Sequence, residues 1–524
     1  MTISFPEHFN MASYFLDDRI KEGRGENVAV YYEDQQYTYT DVQKMANRAG
    51  NVLLSVGVEM EDRVLIVLPD SIEFVAAWFA VAKIGAVITM VNTILPPSDY
   101  EYYLDYTRAK VAVVHASVME RFAPAASRSR YLKHTLVVDT KVSGSIEGIT
   151  GRSSIISYER ATATASDQLQ TAPTSPDDIA IWLFTSGSTG RAKAAVHFHH
   201  DLPYNTEMYA KRVLAVNDSD ITLSVPKLFF GYATGTNMMF PFAVGGATAL
   251  FSERSTAETM FEMIERYRPT ILTSVPTMIN AMLNVEGARE RYDLSSLRFC
   301  LSAGEALPPE LYNRWMETFG VEVLDGIGSA EMFHIYITNY PGDVVPGSLG
   351  RIVPGYKAKI VDAEGREVAT GEMGTLKIKG DSAALCYWNA HEKSKATFAG
   401  DWCTTGDQFR VDEQGYYWYC GRTDEMLKVG GIFVSPTEIE NCLLEHESVR
   451  ECAVVGAGDE QRLIKPKAFI VLAEGFQSAP ELEQELKEYV KARLAAYKYP
   501  RWIEFREDLP KNDRGKIDRK LLKQ

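Results

Sequence analysis

Basic charge is in short supply. The 524 residues carry 55 Lys+Arg against 70 Asp+Glu, a formal net charge of -15 at pH 7. A field of that sign repels nucleic acid and anionic lipid, so neither is expected as a general partner. Any polyanionic ligand must be held by local donors or by metal. Cysteine is also sparse: the six residues Cys300, Cys386, Cys403, Cys420, Cys442 and Cys452 include no C-x-x-C pair. That spacing argues against a zinc finger or a disulfide framework and for reduced thiols. Long apolar runs are missing too. The most apolar stretch, Phe74 to Val91, is interrupted by Lys83 and Gly85, which suits a buried helix followed by a strand better than a membrane span. The first residues, MTISFPEHFN, lack a basic stretch ahead of an apolar core, so no secretory leader is evident. A soluble cytoplasmic protein is the expectation.

What the chain does have is alternation. Apolar, strand-like runs such as RVLIVL (63–68), AVVHA, TLVVD, TALF and TILTSV are separated by segments with helical spacing, including Thr256 to Arg266. This rhythm predicts an α/β fold of several layers. A Ser/Thr-rich connector spans Ala161 to Asp178. Near Gly421 the texture changes to a charged, glycine-bearing segment, then a helix, two strand candidates (ECAVVGAG and PKAFIVLA) and a helix from Ala479 to Ala495. We place a large N-terminal domain at residues 1–422 and a small α+β C-terminal domain at residues 423–524, about 100 residues being an ordinary domain size.

The sharpest local signal is LFTSGSTGRAKAAVHFH, Leu183 to His199. Glycine permits sharp turns, Ser and Thr add hydroxyls to exposed amides, and lysine adds a cation for a phosphate tail. A P-loop would need G-x-x-x-x-G-K-[ST] opening into a helix. Here the lysine is late, no hydroxyl follows it, and AAVHFHH reads as a strand. Strand-loop-strand geometry is predicted instead.

FTSGSTGRAK resembles the phosphate loop of the acyl-adenylate-forming enzymes, a family of acyl- and aryl-CoA synthetases, peptide-synthetase adenylation domains and luciferases. The resemblance continues through LSAGEALP (301–308), DGIGSAEM (325–332), TTGD (404–407), GRTDEMLKVGG (421–431) and LPKNDRGKIDR (509–519). The wording of PKLFFGYATG, SAGEALP and GIGSAEMFHI is most similar to benzoate-CoA ligases and related aryl-CoA ligases. The resemblance implies a large multi-sheet N-terminal domain, a mobile C-terminal domain, and ATP, Mg2+ and coenzyme A as cofactors. The implied reaction joins a carboxylate to AMP with loss of pyrophosphate, then passes the acyl group to a thiol.

Carried over position by position, Thr185, Ser186, Ser188, Thr189 and Lys193 would hold the β- and γ-phosphates. Glu331, with Thr185, would take the metal, carboxylate oxygen being a hard ligand for a hard ion. The family's threonine before that glutamate is Ala330 here, which removes one α-phosphate contact. Asp407 would accept from the ribose hydroxyls with Arg422 assisting. Ala303, Gly304 and Glu305, with Asp325, Gly326 and Ile327, would frame the adenine. Lys516 matches the lysine that bridges carboxylate and α-phosphate, where a cation offsets two approaching anions. Asp424 matches the hinge about which the small domain turns, and Lys428, Gly430 and Gly431 would then line the thiol channel.

For the acid, Phe230, Gly231, Tyr232, Ala303, Gly328, His334 and Ile335 are expected to form a flat, aromatic-walled slot with one polar handle, small residues leaving room for a ring. The implied substrates are benzoate and its hydroxy or amino derivatives; a homodimer is compatible with this reading. A rival enzyme reading loads the aryl acid onto a carrier-protein pantetheine. No carrier module follows Lys516, which favours free coenzyme A. A non-catalytic nucleotide sensor is the reading from a different class, and Lys193, Glu331, Asp407 and Lys516 together weigh against it.

Overall fold

The computed structural model describes residues 3–139, 153–186, 191–423, 425–429, 432–459, 463–495, 497–511 and 517–523. Three sheets build the body of the protein. The first has eight strands, and its parallel centre includes Arg63–Val67, Val87–Met90 and Val111–His115. Its other end turns antiparallel through Ile179–Ser186, Ala192–Phe198 and Cys386–Tyr387. The second has nine strands, among them the parallel neighbours Ile271–Ser274, Phe299–Ala303 and Glu322–Gly328. Ile335–Thr338 returns antiparallel beside the last of these. The third is a five-stranded antiparallel sheet containing Trp402–Val411 and Tyr417–Arg422.

The strand-like runs of the sequence become strands because apolar, β-branched residues are buried on both faces of parallel sheets. RVLIV forms Arg63–Val67 with four of its five residues buried. The apolar stretch after it divides as expected. Ser71 caps the helix Ile72–Lys83 by accepting from the Phe74 amide, and Val87–Met90 follows as a strand. The helix is apolar all round because it is buried all round, and Lys83 inside it is neutralised by Asp17 at 2.8 Å. No helix among the described residues is long and apolar enough to cross a membrane.

The strand Ile179–Ser186 pairs antiparallel with Ala192–Phe198, Thr185 opposite Lys193, so the lysine rises from a strand. After Arg422 the chain enters a smaller α+β region with a core of its own, running from Leu427 to Ile503. It is built on the strands Val449–Gly458, Ile464–Leu472 and Trp502–Arg506 and the helices Pro436–Leu444 and Pro480–Arg493.

Candidate active site

The three sheets bring their loop ends to one place. Lys193, on the first sheet, has its ammonium 3.7 Å from Glu331 Oε1, and Glu331 follows the second-sheet strand Glu322–Gly328. Burial lowers the Lys193 pKa to about 8, against the opposing pull of Glu331. Asp407 and Arg422 stand opposite each other in the third sheet. Arg422 Nη1 donates to Asp407 Oδ1 at 3.1 Å. Burial raises the Asp407 pKa to about 6, with Arg422 pulling it down and the charge of Glu331 adding to the rise. Lysine, glutamate and the Asp–Arg pair thus share one electrostatic neighbourhood although they are far apart in the chain.

The segments expected to frame the adenine lie at the carboxyl ends of two adjacent parallel strands, where open α/β sheets bind ligands. Ala303 ends Phe299–Ala303 opposite Gly326, and Gly304 follows in the positive-φ region at +93°. Glu305 Oε2 accepts from Thr277 at 2.8 Å. The Asp325 carboxyl is turned into the protein, where it accepts from the Leu307 amide and burial raises its pKa to about 8. At Asp325 the carboxyl is therefore turned away from any ligand on the strand-end face. Ile327 pairs with Ile337.

On the acid side, Phe230 precedes the short helix Gly231–Thr234, which carries Tyr232. His334 is buried at 3% exposure among Tyr209, Tyr232 and Phe240, with ring centroids 4.9–5.9 Å away. Its Nε2 lies 3.0 Å from the Tyr232 carbonyl, while Nδ1 is buried without a hydrogen-bond partner. Burial lowers its pKa to about 4, so the ring is neutral and Nε2 carries the proton. Ile335 opens the strand Ile335–Thr338.

A Cβ on Gly328 would lie 2.6 Å from the His334 carbonyl, and one on Gly235 would lie 2.5 Å from the His334 ring. On Gly326 it would meet the Ile337 carbonyl at 2.8 Å. On the side a Cβ would occupy, each of these glycines is packed against protein. They permit close packing of His334 and the second-sheet strands.

Several residues at the site carried no signal in the sequence. Tyr387 donates to Glu331 Oε1 at 2.5 Å, and its ring lies under the Lys193 ammonium, 3.6 Å from ammonium to centroid. His197, fully buried, bridges Asp201 at 2.7 Å and the carbonyl of Ala330 at 2.6 Å. Phe333 adopts φ +66°, ψ -55°, and the His334 amide donates to the Met332 carbonyl at 2.9 Å. This is a positive-φ γ-turn, rare and strained for a side-chain-bearing residue. Tyr387 lies outside the quoted motifs; His197 and Phe333 lie inside them, but neither the bridge of the one nor the strain of the other has a sequence signature. Ser188, Thr189, Asp424, Gly430, Gly431 and Lys516 lie outside the described residues, as do the side chains of Ser186 and Lys428.

Family models bear on the same residues. The model described as AMP-binding enzyme matches residues 17–388. The chain belongs to the AMP-binding enzyme family. The model of the AMP-binding enzyme C-terminal domain matches residues 438–516. A benzoate–CoA ligase of Thauera aromatica is 44% identical, with 99% of this chain and 97% of that protein covered. A 4-hydroxybenzoate–CoA/benzoate–CoA ligase of Rhodopseudomonas palustris is 37% identical over 98% of this chain and 94% of its own length. Among solved structures, an anthranilate CoA ligase in complex with anthranoyl-AMP superposes with a TM-score of 0.92 at 39% identity, covering 99% of this chain and 97% of that one. A benzoate CoA ligase from Burkholderia xenovorans has a TM-score of 0.88 at 37% identity, covering 98% and 100%.

Within this AMP-binding enzyme, Glu331 and the Thr185 hydroxyl make a small, hard donor set. One carboxylate and one hydroxyl are too few to hold Mg2+ alone; they would supply part of its oxygen ligands, and the ion would offset phosphate charge there.

Proposed function

We propose that the protein is an ATP-dependent aryl-CoA ligase. It activates benzoate or a hydroxy- or amino-benzoate as the aryl-adenylate and transfers the acyl group to coenzyme A. The observation that carries this reading is the convergence of Lys193, Glu331 and the Asp407–Arg422 pair from three sheets at one site.

A carboxylate resists thiol attack because resonance and negative charge blunt its carbon. Attack of a carboxylate oxygen on the α-phosphorus makes a mixed anhydride and expels pyrophosphate. The thiol sulfur then adds to the acyl carbon, AMP leaves, and the thiol proton passes to solvent. Positioning and charge neutralisation supply most of the rate in such chemistry. Lys193 neutralises the phosphate tail; Asp407 and Arg422 hold the ribose; Glu331 and Thr185 receive Mg2+, which offsets phosphate charge when bound. Lys516 draws the acid and the α-phosphate together, and the small domain then turns about Asp424 to bring Lys428, Gly430 and Gly431 to the thiol. The aromatic cluster around His334 forms one wall of the acid site.

The test is carboxylate-dependent pyrophosphate release across a panel of acids, with and without coenzyme A. Benzoate-type acids are expected to give release and a thioester, whereas acetate and palmitate give neither. Release without thioester on adding coenzyme A would point to a carrier-bound acceptor, and no release with any acid would end the ligase reading.

A further inference from the structure

We infer that Tyr387 is a positioning residue for nucleotide binding, holding Glu331 and Lys193 in the geometry that receives the metal-bound triphosphate. Two side-chain contacts and two backbone contacts place it there. Its hydroxyl donates to Glu331 Oε1 at 2.5 Å, and its ring supports the Lys193 ammonium at 3.6 Å. Its own segment is tied to both partners through backbone. The Ala384 amide donates to the Glu331 carbonyl at 2.8 Å, and Tyr387 pairs with Ala195, two residues from Lys193.

These contacts address one physical problem. An ammonium and a carboxylate 3.7 Å apart in a partly dry site attract each other, and a collapsed pair is a poor receptor for phosphate and metal. Both Tyr387 and Lys193 approach the same carboxylate oxygen, Oε1. The hydroxyl therefore shares with lysine the task of satisfying that oxygen. The electron-rich ring face meanwhile gives the ammonium a second, uncharged partner, an interaction strengthened by desolvation. Tyr387 is itself 3% exposed and packs on Phe398 with the rings tilted 53° and 5.3 Å between centroids, so its ring has little freedom.

The inference rests on the ligase reading, and its test is separable from it. Equilibrium binding of MgATP is measured without any acid present, together with thioester formation from supplied benzoyl-adenylate. Tyr387→Phe keeps the ring and deletes the hydroxyl. Hydrogen bonds to charged groups span roughly a ten- to hundredfold effect in affinity. MgATP binding is expected to weaken by that factor, while thioester formation from the supplied adenylate stays within about twofold of wild type. In a cycle with Glu331→Gln, the double variant is expected to bind MgATP no worse than Glu331→Gln alone, because both changes remove one interaction. Unchanged MgATP binding in Tyr387→Phe, additive losses in the cycle, or equal loss in both measurements would overturn the assignment. Where Tyr387→Phe does not fold, Tyr387→His restores a donor. Partial recovery of MgATP binding supports the inference and none overturns it. Failure of the wild-type protein to release pyrophosphate with any acid would instead count against the ligase reading.

Discussion

Asp407 shows how much one buried carboxyl can decide. Its pKa of about 6 arises from burial first, with Arg422 opposing and Glu331 adding to the rise. Ribose recognition needs the carboxylate, which accepts from both hydroxyls, so binding that depends on those hydroxyls is present above about pH 6 and lost as pH falls through that value. Adenosine and 2′,3′-dideoxyadenosine separate this from phosphate titration. Adenosine is expected to bind more tightly at pH 8, and the difference should vanish by pH 5. A difference constant across that range would show that Asp407 does not hold the ribose. At this scale the sequence was informative where chemistry sits in a short motif, as in TTGD and GRTDEMLKVGG. It was silent on Tyr387, whose partners are distant in sequence, and on the reach of His197 to the Ala330 carbonyl. Tyr387 meets Lys193 because Cys386–Tyr387 pairs with Ala192–Phe198, and no local pattern encodes that pairing.

Turns and strands set what the glycines pack against. A glycine beside an aromatic suggests a ligand slot, but Gly235 and Gly328 are both packed against His334. The sequence marks that something must come close, and only the fold says that it is another part of the protein. His334 is held from both sides because the strained turn at Phe333 directs it back toward the helix carrying Tyr232. Gly235→Ala would push a methyl group to 2.5 Å from an imidazole enclosed by Tyr209, Tyr232 and Phe240. Overpacking of this kind costs about 1–3 kcal/mol. The variant is expected to melt several degrees lower and to show a raised KM for the aromatic acid, with KM for ATP little changed. A raised KM for ATP alone would place His334 on the nucleotide side instead. The hairpin at residues 179–198 was the most legible element, because AAVHFHH has the composition of a strand and a P-loop needs a helix there.

At the scale of the whole molecule, the small C-terminal region has its own hydrophobic core from Leu427 to Ile503, so it can move as a unit against the larger body. For such movement to deliver a side chain, the delivering segment must be fixed to the unit that moves. The described residues around Lys516 meet that requirement. Lys511 and Ile517 form an isolated antiparallel bridge, and the Asp518 amide donates to the Pro510 carbonyl at 2.7 Å. Arg519 then grips both oxygens of the buried Glu440, on the helix Pro436–Leu444, at 2.9 and 2.8 Å. Glu440 also accepts from the Val454 amide at 2.7 Å, which locks the clamp to the small region's strand Val449–Gly458. One guanidinium nitrogen, Nη2, serves both Glu440 oxygens while Nη1 reaches Glu425 at 3.7 Å, so the planar group spans two carboxylates, which a lysine ammonium cannot reproduce. Arg519→Lys keeps the charge and gives up that span, so the described residues flanking Lys516 should be held less firmly without leaving a buried carboxylate uncompensated. Lys516→Ala should cripple pyrophosphate release and leave thioester formation from supplied aryl-adenylate comparatively active. Arg519→Lys should follow it in kind but less severely, by about tenfold in the first half-reaction. Parallel losses in both half-reactions for either variant would mean that this segment serves the fold of the small region, with no separate part in adenylation.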